Sequence, residues 1–114
     1  MPKYKVIILP LAEEDILAQT DYIAYEFKNL DAAINMARGF NETINNLSIF
    51  PQCHGLDEDE RLAGYGVRKT YYKNYKIYYT IDECKRVVYV LRVLHVLLKG
   101  EEKVLHFLKK YKHS

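Results

Sequence analysis

Five side chains in the second half of the 114-residue chain have types suited to work on a phosphate-bearing polymer: Arg68, Tyr72, Lys76, Tyr78 and Arg92. Arginine and lysine neutralise phosphates and tyrosine rings stack on unpaired bases, so a surface carrying all five would suit RNA. Side chains alternate along a strand. In extended segments Arg68, Thr70 and Tyr72 therefore share one face, and Lys76, Tyr78 and Thr80 share one face of the next strand. The complementary sets are Val67, Lys69, Tyr71 and Ile77, Tyr79, Ile81, of which the second is the more apolar and the better candidate for packing on helices. The opposite face would then display Arg68, Tyr72, Lys76 and Tyr78, joined by Arg92 if the last strand contributes its even-numbered residues. The same composition also serves a ligand-free sheet face, with tyrosines packed under lysine stems. His95 follows Arg92 by three residues in "RVVYVLRVLHVLLK" and points to the other face of an unbroken strand. The two cooperate only if the strand ends, bends or bulges between them.

Other chemistry has less to stand on. Cys53-His54, Cys84 and His95 lack CxxC or HxxxH spacing, so no metal is expected, and no cofactor. No GxxxxGK[ST], GxGxxG or GxSxG occurs, which argues against common nucleotide sites and an α/β-hydrolase nucleophile. "DEDE" at 57–60 reads as a solvated loop, with Glu60 as the one acid to keep as a candidate.

The elements that must position these residues follow from periodicity. "KYKVIIL" (3–9) is a short β-branched and aromatic run that Pro10 stops, and it reads as a strand. Proline at the first helical position and "EED" at 13–15 start a helix with a stripe of Ala12, Ile16, Ile23, Phe27 and Leu30. Asp31 is placed to cap a second helix whose buried face is Ala33, Ala37, Phe40, Ile44 and Leu47, which ends by Phe50-Pro51. Two amphipathic helices with a short link make a helical hairpin. Residues 51–65 are loop with at most a turn of helix. Strands follow at 66–72, 75–81 and 86–96, the first pair joined by a two-residue turn, Lys73-Asn74, and the second by "DECK". The last is apolar on both sides, as a central covered strand should be. After Gly100, "EEKVLHFLKKYKHS" forms a short helix with Val104, Leu108 and Tyr111 on one face. The expected fold class is α+β: an N-terminal strand, a helical hairpin, three antiparallel strands completing a twisted four-stranded sheet, and a short C-terminal helix.

Length and composition fit one domain over 1–114, with about half the residues apolar. Two cysteines make no disulfide framework, and no apolar run is long enough to span a membrane. The expectation is a cytoplasmic protein with no membrane partner. A net charge of +2 hides an asymmetry, because residues 1–60 hold 4 Lys/Arg against 11 Asp/Glu and residues 61–114 hold 13 against 4. A basic face for phosphate or for an acidic protein segment is one outcome; mixing of the charges in space is the other.

Taken in order, "YKVIILPLAEEDI", "FPQCHG", "GYGVRKTYYKNYKIYYTI" and "VVYVLRVLH" resemble the RelE/ParE superfamily of toxins from type II toxin–antitoxin, or plasmid stabilisation, modules, over residues 4–95. The resemblance implies a helical hairpin on a strongly twisted, mainly antiparallel sheet, with a cognate antitoxin wrapped over it. It implies growth arrest by one of two routes: cleavage of mRNA in the ribosomal A site in the RelE-like branch, or poisoning of DNA gyrase in the ParE-like branch. A third outcome is a non-catalytic relative that binds its antitoxin and represses its own operon. Ribosome-dependent cleavage by a metal-independent endoribonuclease (an mRNA interferase) is taken first, because a catalytic set can be named. By motif position, Arg68 and Arg92 would stabilise phosphate, Lys76 stands where catalytic relatives often have arginine, His95 matches the histidine near the last strand's end, and Glu60 would be the base. Arg68, Tyr72, Lys76 and Tyr78 would bind the RNA. Lys76 loses the bidentate contact of arginine. Many relatives continue with a glycine and two arginines after "RVLH", where this chain has Val96, Leu97 and Leu98, which suggests cover by the C-terminal helix or by the antitoxin.

Overall fold

The computed structural model describes residues 3–112. Strand β1 (Lys5–Ile8) runs straight into helix α1 (Pro10–Tyr25), with Pro10 in the first turn, where its missing N–H costs no helical hydrogen bond. The chain reverses through Lys28, at a φ of 51°, into α2 (Leu30–Asn45). Asn29, rather than the expected Asp31, is the cap: its side chain accepts from the Ala32 N–H at 3.0 Å, leaving Asp31 in the first turn. Phe27 and Leu30, expected in the buried stripe of the first helix, lie after its end and are each 65% exposed. Two short 3-10 turns, Asn46–Ser48 and Pro51–Cys53, and a four-residue helix α3 (Glu60–Ala63) organise the stretch before the sheet.

Strands β2 (Arg68–Tyr72), β3 (Tyr75–Asp82) and β4 (Val87–His95) then form one sheet with β1 in the order β1-β4-β3-β2. β1 runs parallel to β4, and the other pairs are antiparallel. The helical hairpin covers one face through a core that includes Ala12, Phe40, Ile44, Ile77, Tyr79 and Val90. The last helix, α4 (Gly100–Lys112), covers the other with Val104 and Leu105 packed near Leu62, Tyr78, Leu91 and Leu94. β4 is therefore central and covered on both faces, which accounts for its apolar bulk. Leu108 packs partly buried beside that second core, and the side chain of Tyr111 lies outside the described residues.

Register decides which side chains share a face. The two-residue turn at Lys73-Asn74 sets Tyr72 opposite Tyr75, Thr70 opposite Ile77 and Arg68 opposite Tyr79. Directly opposed residues project to the same side. Even-numbered residues of β2 thus join odd-numbered residues of β3, and Arg68 and Tyr72 lie on the hairpin face rather than on the opposite one as expected. Between β3 and β4, Tyr78 faces Arg92 while Tyr79 faces Val90, so Leu91 is an extra residue in β4. This bulge precedes Arg92; it does not fall between Arg92 and His95.

Candidate functional site

Beyond Val90 the outer edge of β4 has no strand beside it, because β1 ends at Ile8. Asp15 of α1 fills that place. Its carboxylate accepts from the Val93 backbone N–H at 3.0 Å and from Arg92 Nε and Nη2 at 2.7 and 2.9 Å. One side chain thereby satisfies a strand-edge donor and a bidentate guanidinium fork. The Asp15 bond holds the Arg92 guanidinium above its ordinary range against the opposing effect of burial. Next to this pair a cleft of about 170 Å³ is lined by Asp15, Gln19, Arg92, His95, Leu98 and Lys103, among others. Gln19 accepts from the Tyr75 hydroxyl at 2.9 Å, and the Tyr75 ring meets the His95 ring edge-on at 5.4 Å. Arg92 and His95 do line one cleft, although the register puts them on opposite faces, because Arg92 turns around the strand edge to α1 and the strand stops at His95.

The other expected site residues are committed elsewhere. Arg68 Nη1 donates to the carbonyls of His54 at 2.5 Å and Gln52 at 3.4 Å, pinning the segment before α3. Tyr72 packs its ring 4.8 Å from that of Phe40. Lys76 is 7% exposed, lies under the start of α4 with Nζ 3.5 Å from Glu101 Oε1, and sits 5.6 Å from the centre of the Tyr78 ring. The Glu101 carboxyl is held below its usual range, first by a backbone hydrogen bond and then by Lys76. Tyr78 is fully buried, with a hydroxyl that finds no hydrogen-bond partner among the described residues. Burial, with Glu101 and Asp57 nearby, pushes that phenol well above its ordinary range. Glu60 opens α3 in an exposed position.

The structure therefore brings Lys76 and Tyr78 together on the α4 face, where Lys69 and Tyr71 take the β2 positions opposite them, and it separates Arg68 and Tyr72 from both. Lys69 pairs with buried Asp57 at 3.3 Å; burial pulls the Lys69 ammonium down, but Asp57 raises it above its usual range on balance. Among the described residues no three His, Cys, Asp or Glu side chains gather as metal ligands, and both cysteines are free and exposed. Also among them, no helix is long and apolar enough to cross a membrane.

The sequence model of a family described as "ParE toxin of type II toxin-antitoxin system, parDE" matches residues 6–96. The chain belongs to the ParE toxin family. As expected from its motifs, it is a RelE/ParE superfamily toxin of a type II module. The same match overturns the expected ribosome-dependent mRNA cleavage and the endoribonuclease assignment, since the pattern that covers 6–96 is that of ParE and not of a nuclease. The geometry agrees with this correction: Arg68, Lys76 and Arg92 spend their charge on internal partners and form no open cationic surface. Among the solved structures that share this fold are two toxin–antitoxin systems. One is the chromosomal ParDE system from P. aeruginosa, 16% identical with a TM-score of 0.64, covering 81% of this chain and 95% of that one. The other is the toxin–antitoxin complex RelBE2 from Mycobacterium tuberculosis, 24% identical with a TM-score of 0.52, covering 82% and 98%. Comparison with the curated proteins gives no match.

Sequence reasoning missed Asp15 and Lys103. In the sequence Asp15 reads only as a dipole complement in the first helical turns. The signal for more was a lone arginine in an apolar strand, which needs a carboxylate partner when partly buried.

Proposed function

We propose that this chain is the toxin of a type II module that acts on DNA gyrase and is held inactive by a cognate antitoxin. The ParE family match over residues 6–96 carries this reading. It is supported by what the surface offers to proteins. The tip of the hairpin exposes Tyr22, Tyr25, Phe27, Leu30 and Ile34, with the Tyr22 and Phe27 rings meeting edge-on at 5.3 Å. Apolar side chains exposed together in this way mark a site of interaction with another protein, here the target or the antitoxin. The ParDE and RelBE2 structures are of toxin–antitoxin systems, which supports an antitoxin as partner here. We place the toxin in the cytoplasm, where DNA and gyrase are, and take it to act as one domain.

The test is to induce the chain in cells with and without the product of the neighbouring reading frame. Double-strand DNA breaks with intact mRNA, relieved by the neighbour's product, are the expected result. Rapid mRNA loss without breaks would overturn the reading.

A further inference from the structure

The β4–α4 connection is an apolar turn held rigidly in the open. The Val96 N–H donates to Asn74 O at 2.8 Å, the Leu98 N–H to His95 O at 3.0 Å and the Gly100 N–H to Leu98 O at 2.8 Å. The Leu97 N–H donates to His95 Nδ1 at 3.1 Å, so in the neutral ring Nε2 carries the hydrogen. Despite this order the side chains project outward: Leu97 is 85% exposed, Leu98 47% and Val96 39%. α4 does not cover them. Beside the turn lies the cleft with Arg92, His95 and Lys103. Among the described residues, Asp15 engages Arg92 through Nε and Nη2 and not Nη1, and no ion pair engages exposed Lys99 or Lys103.

We propose that this turn and cleft form a docking site for a segment of the cognate antitoxin that carries acidic residues next to an apolar side chain. The inference rests on the toxin–antitoxin reading above. The unpaired lysines Lys99 and Lys103 alone would accept any polyanion, but a nucleic acid gains nothing from three outward aliphatic side chains, whereas an acidic and apolar peptide uses both features. The fixed backbone of the turn lowers the entropy lost when such anchors are buried. The family match ends at residue 96, so Leu97, Leu98, Lys99 and Lys103 lie outside the common family pattern and would give this pair its own specificity.

The test measures binding of the neighbouring frame's product to the full-length toxin by titration calorimetry and stopped-flow. Leu97→Glu should weaken binding at least about 10-fold, as for a central apolar anchor. Lys103→Glu should slow association about 3- to 10-fold at low salt with the difference fading at high salt, while Lys103→Arg restores it. Both side chains, Leu97 and Lys103, are exposed in the folded chain, so thermal midpoints should match the unaltered toxin. Unchanged affinity in Leu97→Glu and Lys103→Glu, with the unaltered toxin binding tightly, would overturn the docking site and leave the module standing. No complex with the unaltered toxin would overturn both. A Leu97→Glu variant that dissolves a toxin homodimer without altering antitoxin affinity would assign the surface to a second copy and overturn the proposal.

Discussion

Asp15 does the most work of any single residue at the end of β4, because it serves the Val93 N–H and the Arg92 guanidinium together. Removing it leaves one backbone N–H and two guanidinium donors unanswered. Since the side chains of Arg92 and Asp15 keep 18% and 15% exposure, solvent tempers the loss. Asp15→Ala should cost about 2–3 kcal/mol by urea unfolding. Asp15→Asn, which keeps an acceptor, should cost less. The buried phenols make a second expectation. Tyr78 and Tyr79 are pushed above the ordinary value of 10.0 chiefly by burial. A raised folded-state value means that their contribution to stability is whole below pH 10 and is lost as pH rises through the folded values. In an alkaline titration the last part of the tyrosinate absorbance should therefore appear together with loss of the folded circular dichroism signal. Complete ionisation with the fold intact would contradict their burial.

At the scale of elements, the contact between α2 and β2 is set by Gly39. A Cβ there would lie 2.1 Å from the Tyr72 hydroxyl oxygen, with the ring already packed on Phe40. Alanine is favoured over glycine in a helix by about 1 kcal/mol, so an exposed site would gain. Gly39→Ala should instead destabilise by about 1–3 kcal/mol, as overpacking does, read from the urea midpoint; a stabilised variant would show that the helix and strand are not in close contact. The order and type of the elements were legible in sequence, because Pro10, the amphipathic stripes and the Tyr/Val/Ile-rich runs each carry a local signal. The face of each strand was legible too, though it was misread. A two-residue turn pairs Tyr72 with Tyr75 and so exchanges odd for even across the hairpin. Grouping even-numbered residues of both strands ignored that parity and assembled a basic surface from side chains that lie on opposite faces. The Leu91 bulge was out of reach, and so was the choice of Asp15 as the carboxylate that Arg92 needs, since both depend on where β1 ends relative to β4, a long-range relation with no local pattern.

The whole molecule has two cores on either side of one sheet, and the cations once gathered into an RNA site are distributed between them. Arg68 pins a loop, Lys76 is roofed by α4 and Arg92 is clamped to α1. Apolar side chains stand exposed to outside partners at the hairpin tip and at the Val96-Leu97-Leu98 turn, among other places. That arrangement suits a protein whose effect comes from binding another protein, as the proposed action on gyrase requires. The most direct measurement adds the purified full-length toxin to DNA gyrase with plasmid and ATP, and in parallel to translating ribosomes with a defined mRNA. Loss of supercoiling and accumulation of cleaved plasmid, reversed by the antitoxin, with the mRNA intact, is the predicted result. Unaffected supercoiling with cleaved mRNA would contradict it.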